Sequence, residues 1–376
     1  MYKNIQYSDQ LTFFQKLRSI DFILVFFLLL LGIISSFAMY STDGGEMLYH
    51  TKSHIVRFSI FFLMMIFFSF FSLRFWFLTG YLFYLIALGL LFWASFFGIT
   101  AQGSQIWINL YFLNLQPSEL MKIAIIVCFA KFFHRVQIDS VNSLKNTLIP
   151  LVILIIPMFL VISQPDLGTS VLIALSGIIV IWLVGINIKY FVYSGLVMII
   201  SAPFLISFLK PYQKLRILAF FNPDKDPLGA GYQIIQSKIA VGSGGIFGKG
   251  YLEGTQGYLE FLPEKHTDFI FTLFSEEFGF VGSVLLLIIY AVIILRILVI
   301  GSSSRSYFGR IFCYGYASAL FVYISINMCM VLGLLPIVGS PLPILSYGGS
   351  SMLSIMLGLS IVMSCKIYSQ DQISYY

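Results

Sequence analysis

Long runs of apolar residues, separated by polar connections, fill almost the whole chain. Each run is close to the length of about 20 residues that a helix needs to cross a membrane. The runs lack the apolar–polar alternation that is typical of outer-membrane barrel strands. The pattern predicts an all-α polytopic membrane protein with about ten transmembrane helices, over 21–41, 54–72, 75–97, 117–134, 147–163, 167–186, 189–209, 267–299, 310–333 and 349–366.

One connection is much longer than the others. Residues 210–266 are polar, carry charges of both signs and are rich in Gly and Pro. Loops of this length are usually functional or disordered, and the apolar and aromatic residues in this one argue against disorder. Its stretch GYQIIQSKIAVGSGGIFGKG predicts a segment that folds back along the membrane surface. We expect the chain, 1–376, to be a single membrane domain with this loop on its functional side.

Two further connections contain unusual residues for a membrane boundary. Residues 98–116 mix apolar residues with Gly, Gln and Asn, which predicts an interfacial re-entrant segment anchored by Trp107 and Tyr111. Residues 334–351 hold several Pro and Gly. Irregular backbone at this depth is tolerated only where it lines a cavity or is packed by protein.

The composition agrees with a membrane protein. The 376 residues are 59% hydrophobic and 10% charged, whereas soluble domains carry about 25% charged residues. The first apolar run lacks a small-residue cleavage site, so we expect it to remain as a helix. The 4 cysteines lack the spacing of metal ligands and are interpreted as packing residues. The net charge of +6 indicates attraction to anionic lipid rather than to nucleic acid.

The positions of Lys and Arg predict the orientation of the helices. Most basic residues fall in connections on one side, and none lies in 98–116 or 334–348 on the other. Basic residues are enriched in cytoplasmic connections. We therefore expect both termini to be cytoplasmic and the long loop to be extracytoplasmic.

Three segments place polar residues at the outer ends of helices, and the first reads QPSELMK. Pro117 suits the first helical turn, and Gln116 or Ser118 could cap it. Glu119 and Lys122 stand at i and i+3 on one helix face. They form either a salt bridge at the interface or a charged pair facing a polar cavity, where Lys122 could touch a phosphate.

The second segment is QPDLGT, a very short outer turn between two predicted helices. Asp166 is either the N-cap of the following helix or an inward-pointing carboxylate. In the second case it adds negative charge beside Glu119 and Lys122.

The third segment, LPEKHTDFIF, ends the long loop and starts an apolar helix. A carboxylate is expensive to keep at such a position, so Asp268 is the strongest catalytic candidate. Its apolar neighbours raise the pKa, while Lys265 and the helix end lower it, a balance that suits a general base. Capping of the helix by Thr267 or Asp268 is the alternative. Glu264 and His266 are candidate substrate-binding residues, and His266 could also serve as a base.

Other polar residues leave more than one interpretation open. Basic residues of the long loop, including Arg216, either meet an anionic group at the membrane surface or form a solvated face. Asn327 is interpreted as an interhelical hydrogen-bonding residue. No GxSxG, Walker A, HExxH or CxxC arrangement occurs, so serine hydrolase, NTPase and zinc chemistry have no support from motifs.

The long motifs are similar to those of a known family. The chain resembles the SEDS proteins (shape, elongation, division and sporulation), and their RodA branch more closely than their FtsW branch. The segments that carry the resemblance occur in family order and are QPSELMK, QPDLGT, NPDKDPLGAGYQIIQSKIAVGSGGIFGKG, EFLPEKHTDFIFTLFSEEFG and GLLPIVGSPLPILSYGGSS. They extend from about the third predicted helix to the last.

The resemblance implies a peptidoglycan glycosyltransferase that polymerises lipid II at the outer face of the bacterial cytoplasmic membrane, in support of cell elongation and rod shape. It also implies a class B penicillin-binding protein, a transpeptidase, and other membrane proteins of the elongation complex as partners. The family's essential Asp matches Asp268. Its charged cavity residues match Glu119, Lys122 and Asp166, which favours the functional interpretation of each.

The chain departs from the family at one position. Ile106 stands where the family usually has Arg, next to Trp107. Any role of that Arg cannot be transferred to this chain. Lys52 or Arg57 could replace it.

The expected chemistry needs a single base. Lipid II is an α-linked glycosyl diphosphate and the new glycan bond is β, so transfer inverts the anomeric centre. The diphosphate leaves readily, and no second acid is needed, unlike in glycoside hydrolases. We expect Asp268 to deprotonate the acceptor hydroxyl, and Lys122, Arg216 or a divalent cation such as Mg²⁺ to stabilise the departing diphosphate. The alternatives are a lipid II flippase and a noncatalytic scaffold for the transpeptidase.

Overall fold

The computed structural model describes residues 12–101, 104–110, 114–207, 209–225, 229–255 and 264–373. Within these ranges the chain is almost entirely helical. The α-helices are α1 (Phe13–Arg18), α2 (Phe22–Thr42), α3 (Tyr49–Ser69), α4 (Leu73–Phe97), α5 (Pro117–His134), α6 (Leu144–Ser163), α7 (Leu167–Leu183), α8 (Ile188–Ser207), α9 (Pro211–Phe221), α10 (Ala230–Ser243), α11 (Ile270–Ser303), α12 (Tyr307–Val331) and α13 (Gly349–Ile367).

The helices predicted from the apolar runs are all present, as α2 to α8 and α11 to α13. Among the described residues, 7 helices are long and apolar enough to cross a membrane, namely α2, α3, α4, α6, α11, α12 and α13. The chain is therefore a polytopic membrane protein, while the number of about ten crossings stays a prediction. Helix α5 has the length to cross but contains Glu119, Lys122 and Lys131.

The charged helix α5 lies inside the protein. It packs against α4, α7 and α12, and nearly all of its residues are buried. Helix α13 is buried to a similar degree and packs against α3. Because α5 is surrounded by other helices, its ionised side chains do not face lipid, where an isolated charge would be very costly.

Hydrogen bonds between connections define the two ends of the helix bundle. At one end, the end of α2 and the connection after α12 meet the segment before α11, where Thr42 and the Tyr347 amide contact His266. At the same end, Asp166 in the turn after α6 accepts a hydrogen bond from Gln116, which precedes α5. At the other end, Arg296 pairs with Asp21. All candidate site residues predicted from the sequence lie at the first end.

The described residues of the connection 98–116 form a small antiparallel sheet, and the placement of this segment as an interfacial re-entrant element stays a prediction. Its strands are β1 (Ile99–Ala101), β2 (Ser104–Asn109) and β3 (Asn114–Leu115), with β2 in the centre. Ile and Trp side chains favour strands, and three of them are consecutive in the run SQIWIN of β2. Trp107 lies in β2, whereas Tyr111 lies outside the described residues.

The described part of the long loop folds back onto the membrane helices. Helix α10 packs against α11 and α12, and Ser237 on α10 donates a hydrogen bond to the Val331 carbonyl. The following glycine-rich stretch docks on a kink in α11, where the amides of Phe280 and Val281 donate to the carbonyls of Gly245 and Ile246. The described residues of the loop, 210–225 and 229–255, are therefore part of the ordered fold.

The kink in α11 depends on a glycine. Gly279 has φ 65° and ψ −161°, a region that only glycine adopts without strain. A Cβ at this position would overlap backbone atoms of Gly248 and Ile246. The side chain of any other residue would therefore force the docked loop away from α11.

We predict that Gly279→Ala lowers the free energy of unfolding by at least about 1–3 kcal/mol, the usual cost of such backbone strain. Gly89→Ala is the matched control, because its Cβ would meet nothing within 4 Å. Thermal unfolding of both variants in detergent micelles measures the difference. Equal melting temperatures for Gly279→Ala and the wild type would contradict this explanation of the kink.

Candidate active site

The segment that carries Asp268 is held by its backbone. Three consecutive carbonyls accept hydrogen bonds from residues that follow it in the chain: that of His266 from the Tyr347 amide, that of Thr267 from the Ser346 hydroxyl, and that of Asp268 from the Asn327 side-chain amide. The distances are 2.8, 2.6 and 3.0 Å. Helix α12 and the connection after it thus fix the position of Asp268.

Asp268 does not cap the helix that follows it. The N-cap position of α11 belongs to Phe269, whose side chain cannot cap, and the Thr267 hydroxyl donates to Glu264 instead. The capping hypothesis for Thr267 and Asp268 is therefore wrong. With its backbone carbonyl held by Asn327, the Asp268 carboxyl group is available for chemistry.

The surroundings of Asp268 keep its proton affinity high. The side chain is partly buried, and its Oδ2 atom lies 3.6 Å from where a Cβ on Gly339 would be. Burial, together with the negative charges of Glu264 and Asp166, raises the pKa of Asp268 to about 7, although the Arg216 guanidinium opposes this. Both forms of the carboxyl group are therefore populated near neutral pH.

Glu119 and Lys122 form the buried charged pair that their spacing predicts. Lys122 Nζ lies 2.8 Å from Glu119 Oε1, and both side chains are less than a tenth exposed. The ammonium group also lies 4.6 Å from the ring centre of Tyr323, a cation–π contact. Since the pair is inside the bundle, the interpretation as an interfacial salt bridge is wrong.

The pair lines a small cavity that reaches the connection after α12. The cavity has a volume of about 20 Å³, room for about one water molecule. Its wall includes Tyr323, Ser340 and Pro341. Glu119 Oε2 and Ser340 Oγ have no hydrogen-bond partner among the described residues. The irregular backbone of 334–348 thus lines a cavity, as its Pro and Gly content predicts.

Asp166 lies between the buried pair and Asp268. Its Oδ1 accepts the Thr169 amide at 3.1 Å, which makes it the N-cap of α7, and its Oδ2 accepts from the Gln116 side chain at 3.2 Å. Burial and the charge of Glu119 raise the pKa of Asp166, while its hydrogen bonds lower it. Both interpretations of Asp166 are therefore correct: it caps a helix and adds charge to the site.

Arg216 reaches the site from α9. The residue is exposed, and its Nη1 donates to the Ile337 carbonyl at 3.3 Å. Its charge lowers the pKa of Asp268, so the guanidinium lies close enough to act on an anion bound there. Arg216 is thus both exposed to solvent and within electrostatic range of Asp268, and a role in binding an anionic group stays a prediction.

His266 faces away from the other candidates. Its ring stacks on His50 with a centroid distance of 4.2 Å, and its Nδ1 lies 2.9 Å from the Thr42 hydroxyl. Burial, the nearby His50 and Lys265 lower the pKa of His266 to about 4, against the opposing effect of Asp43. The imidazole is therefore neutral at physiological pH.

Several residues near the site have no signal in the sequence. Asp43 follows α2 and His50 lies in the first turn of α3, and only the fold brings them to His266. Asn327 donates to the carbonyls of Asp268 and Ser340, and so joins α12 to the segment that starts α11, in line with its interpretation as an interhelical hydrogen-bonding residue. The position of Asn327 in the middle of a helix does not by itself show which carbonyl groups it binds.

The position of the missing Arg is occupied by Ile106 in β2, and its side chain is partly buried. One of the candidate replacements lies close to the His50–His266 stack. The Arg57 guanidinium lies 5.0 Å from the ring centre of Tyr347, and that ring meets His50 edge-on. Replacement of the Arg by Arg57 or Lys52 stays a prediction.

Comparison with known proteins places the chain in a family. The FtsW/RodA/SpoVE family model, described as "Cell cycle protein", matches residues 16–371. The chain belongs to this family. The peptidoglycan glycosyltransferase MrdB of Escherichia coli (strain K12) is 47% identical over 282 residues, or 75% of this chain and 76% of MrdB. The stage V sporulation protein E of Bacillus subtilis (strain 168) is 37% identical over 281 residues, or 73% and 74% of the two chains.

Solved structures of the family share the fold. A chain from the structure described as "Structural coordination of polymerization and crosslinking by a peptidoglycan synthase complex" is 29% identical, with a TM-score of 0.81 over 94% of this chain and 99% of that chain. The rod shape determining protein RodA of Thermus thermophilus gives a TM-score of 0.71 at 23% identity, over 94% and 98% of the two chains. The fold prediction is confirmed.

The buried pair makes a prediction about stability. Lys122→Met leaves the Glu119 charge buried without its partner, a loss that costs about 3–5 kcal/mol. The double variant Glu119→Gln/Lys122→Met removes both charges and should recover most of that stability. Unfolding in detergent measures both variants and Glu119→Gln. If the effects of the two single changes simply add in the double variant, the two charges are not coupled.

Proposed function

We propose that this chain is a peptidoglycan glycosyltransferase that polymerises lipid II into glycan strands. The observation that carries the proposal is the Asp268 carboxyl group, held through its backbone at the end of the bundle where Asp166, Arg216 and the Glu119–Lys122 pair also lie. The membership in the FtsW/RodA/SpoVE family and the 47% identity to the glycosyltransferase MrdB support it.

Asp268 is the general base of the proposed reaction. The acceptor sugar hydroxyl attacks the anomeric carbon of the donor, and its proton passes to the Asp268 carboxylate. The bond from the anomeric carbon to the diphosphate breaks, and its electron pair leaves with the polyprenyl diphosphate. One carboxylate suffices, because a diphosphate leaves without protonation by a second acid.

Arg216 is better placed than Lys122 to stabilise the departing diphosphate. Arg216 is exposed at the open side of the site, and a guanidinium presents five donors in a planar fork that matches phosphate oxygens. Lys122 is buried against Glu119 and Tyr323, beside a cavity of about 20 Å³ that is too small for a diphosphate. Lys122 therefore acts by keeping the carboxylates of the site in place.

A divalent cation such as Mg²⁺ fits the site as a companion of the substrate. Mg²⁺ is usually bound by one or two carboxylates together with substrate phosphates. Glu264 and Asp166, whose charges both act on Asp268, are the carboxylates that would hold it. When bound, the cation would neutralise charge on the diphosphate.

The proposal also includes the orientation of the enzyme in the membrane and its partner protein. The site end of the bundle faces the outside of the bacterial cytoplasmic membrane, and both termini are cytoplasmic, since the short connections 98–116 and 334–348 at the site end hold no Lys or Arg whereas those at the opposite end are basic. The partner is a class B penicillin-binding protein within the elongation complex. The likeness to a chain of a peptidoglycan synthase complex, at a TM-score of 0.81, supports such a partnership.

Replacement of Asp268 tests the catalytic role. We predict that Asp268→Asn slows polymerisation of purified lipid II by at least about 100-fold, because loss of a general base typically costs that much or more. Asp224→Asn, the same change at an exposed carboxylate of the long loop, should polymerise like the wild type. Long glycan strands from Asp268→Asn would refute the assignment.

Two assays separate the rival functions: lipid II consumption in proteoliposomes, and the shape of cells that carry Asp268→Ala. A flippase moves lipid II across proteoliposome membranes without consuming it, and a scaffold would support normal cell shape after Asp268→Ala. We expect the wild type and Asp224→Asn, each without partner proteins, to consume lipid II. Cells that carry Asp268→Ala should lose their rod shape. Transport of intact lipid II without glycan formation would favour the flippase.

A further inference from the structure

A second group of chemically competent side chains lies at the outer end of the bundle. Asp43, His50 and His266 each offer one metal-binding atom, and these atoms all lie within 4.8 Å of one another. Asp43 follows the last residue of α2, His50 lies in the first turn of α3, and His266 belongs to the segment before α11. The short connection between α2 and α3 therefore meets a segment more than 200 residues later in the sequence.

The Asp43 carboxylate is oriented by its own neighbours. Its Oδ2 accepts hydrogen bonds from the amide and the hydroxyl of Thr51, at 2.9 and 2.6 Å. These bonds turn Oδ1 toward the two imidazoles, 3.4 Å from His50 Nδ1 and 3.8 Å from His266 Nδ1. Hydrogen bonds to the far side of a ligand are the usual means by which proteins orient metal-binding carboxylates.

The spacing of the three atoms suits a shared cation better than direct hydrogen bonds. Both distances from Oδ1 are longer than ordinary N–H···O hydrogen bonds, which measure about 2.7–3.2 Å. Ligand atoms about 2.0–2.1 Å from a tetrahedral zinc ion lie about 3.3 Å from one another. The His50 contact already has this spacing, the distance from Oδ1 to His266 Nδ1 exceeds it by about 0.5 Å, and the ligand atoms of the two histidines lie within 4.8 Å of each other. Because the two imidazole rings stack nearly parallel, binding of both nitrogens to one ion requires a rotation of one ring.

The burial of the three side chains is also typical of a metal-binding site. The Asp43 side chain is 2% exposed and that of His266 17%, so the anion is removed from water, while His50 is 41% exposed. A buried carboxylate needs compensation by a cation or by hydrogen bonds, and the exposed edge at His50 gives a path of entry. Because the Thr42 hydroxyl donates its own proton to the Met39 carbonyl, it accepts a hydrogen bond from the protonated Nδ1 of His266. An incoming cation replaces the proton on that nitrogen.

We propose that Asp43, His50 and His266 form a binding site for a divalent first-row transition metal with the ligand preference of Zn²⁺. Two imidazole nitrogens and one carboxylate oxygen suit Zn²⁺ and its neighbours, whereas Mg²⁺ prefers a shell made of oxygen atoms alone. The site is distinct from the Mg²⁺ position proposed beside Glu264 and Asp166. A bound cation joins the α2–α3 connection to the segment before α11. This segment contains both His266 and Asp268, which are two residues apart.

Metal titration tests the site without reference to catalysis. Full-length, chelator-treated protein without a polyhistidine tag is titrated with Zn²⁺ in a calorimeter and with Co²⁺ in a spectrophotometer. We expect about one Zn²⁺ per chain, visible absorption from tetrahedral Co²⁺, and a melting temperature that rises with Zn²⁺, because a cation that binds only the folded state stabilises it. A large excess of Mg²⁺ should not displace either metal.

Matched variants locate the binding. His50→Ala should weaken Zn²⁺ binding by well over tenfold, and Thr51→Val, which removes one bond that orients Asp43, by about tenfold. Lys52→Ala, an exposed neighbour on the same helix, should bind as the wild type. The melting temperature of metal-free His50→Ala, expected to equal that of the metal-free wild type, verifies folding. Absence of stoichiometric Zn²⁺ binding by the wild type, or unchanged binding by His50→Ala, would overturn the proposal, whatever the result of the polymerisation assay.

Discussion

The account depends on three consecutive hydrogen bonds that hold the backbone around Asp268. The carbonyls of residues 266–268 are bound by Tyr347, Ser346 and Asn327, which lie on α12 and the connection after it. Backbone groups that leave water need such partners. Because these bonds use the carbonyls alone, the carboxyl group can be placed against bound substrate while the segment itself stays fixed.

The membrane explains why the polar residues of the site are gathered at one end. An ionised group is tolerated inside a bundle only if it is paired and screened from lipid. Glu119 and Lys122 meet this requirement within α5, which is buried between other helices. Asp166 meets it through the Thr169 amide and Gln116. Of these charges, that of Asp166 acts on the Asp268 carboxyl group, together with those of Glu264 and Arg216.

Local patterns predicted much of the fold and part of the site. Apolar run length located the helices, and the spacing of Glu119 and Lys122 placed both on one face of α5, because each depends on residues close in sequence. The backbone partners of Asp268 and the Asp43–His50–His266 group depend on contacts between distant segments, so no local pattern contains them. The capping hypothesis for Asp268 failed for the same reason: a helix start identifies a possible cap, but only tertiary contacts decide which groups are bonded.

The most direct test of the central claim is to separate lipid II binding from its chemical step in Asp268→Asn. A base that acts only in the transition state can be removed without loss of substrate binding. The account predicts an unchanged dissociation constant for lipid II and a single-turnover rate at least about 100-fold below that of the wild type. Retained turnover, or a loss of binding that explains the whole loss of rate, would contradict it.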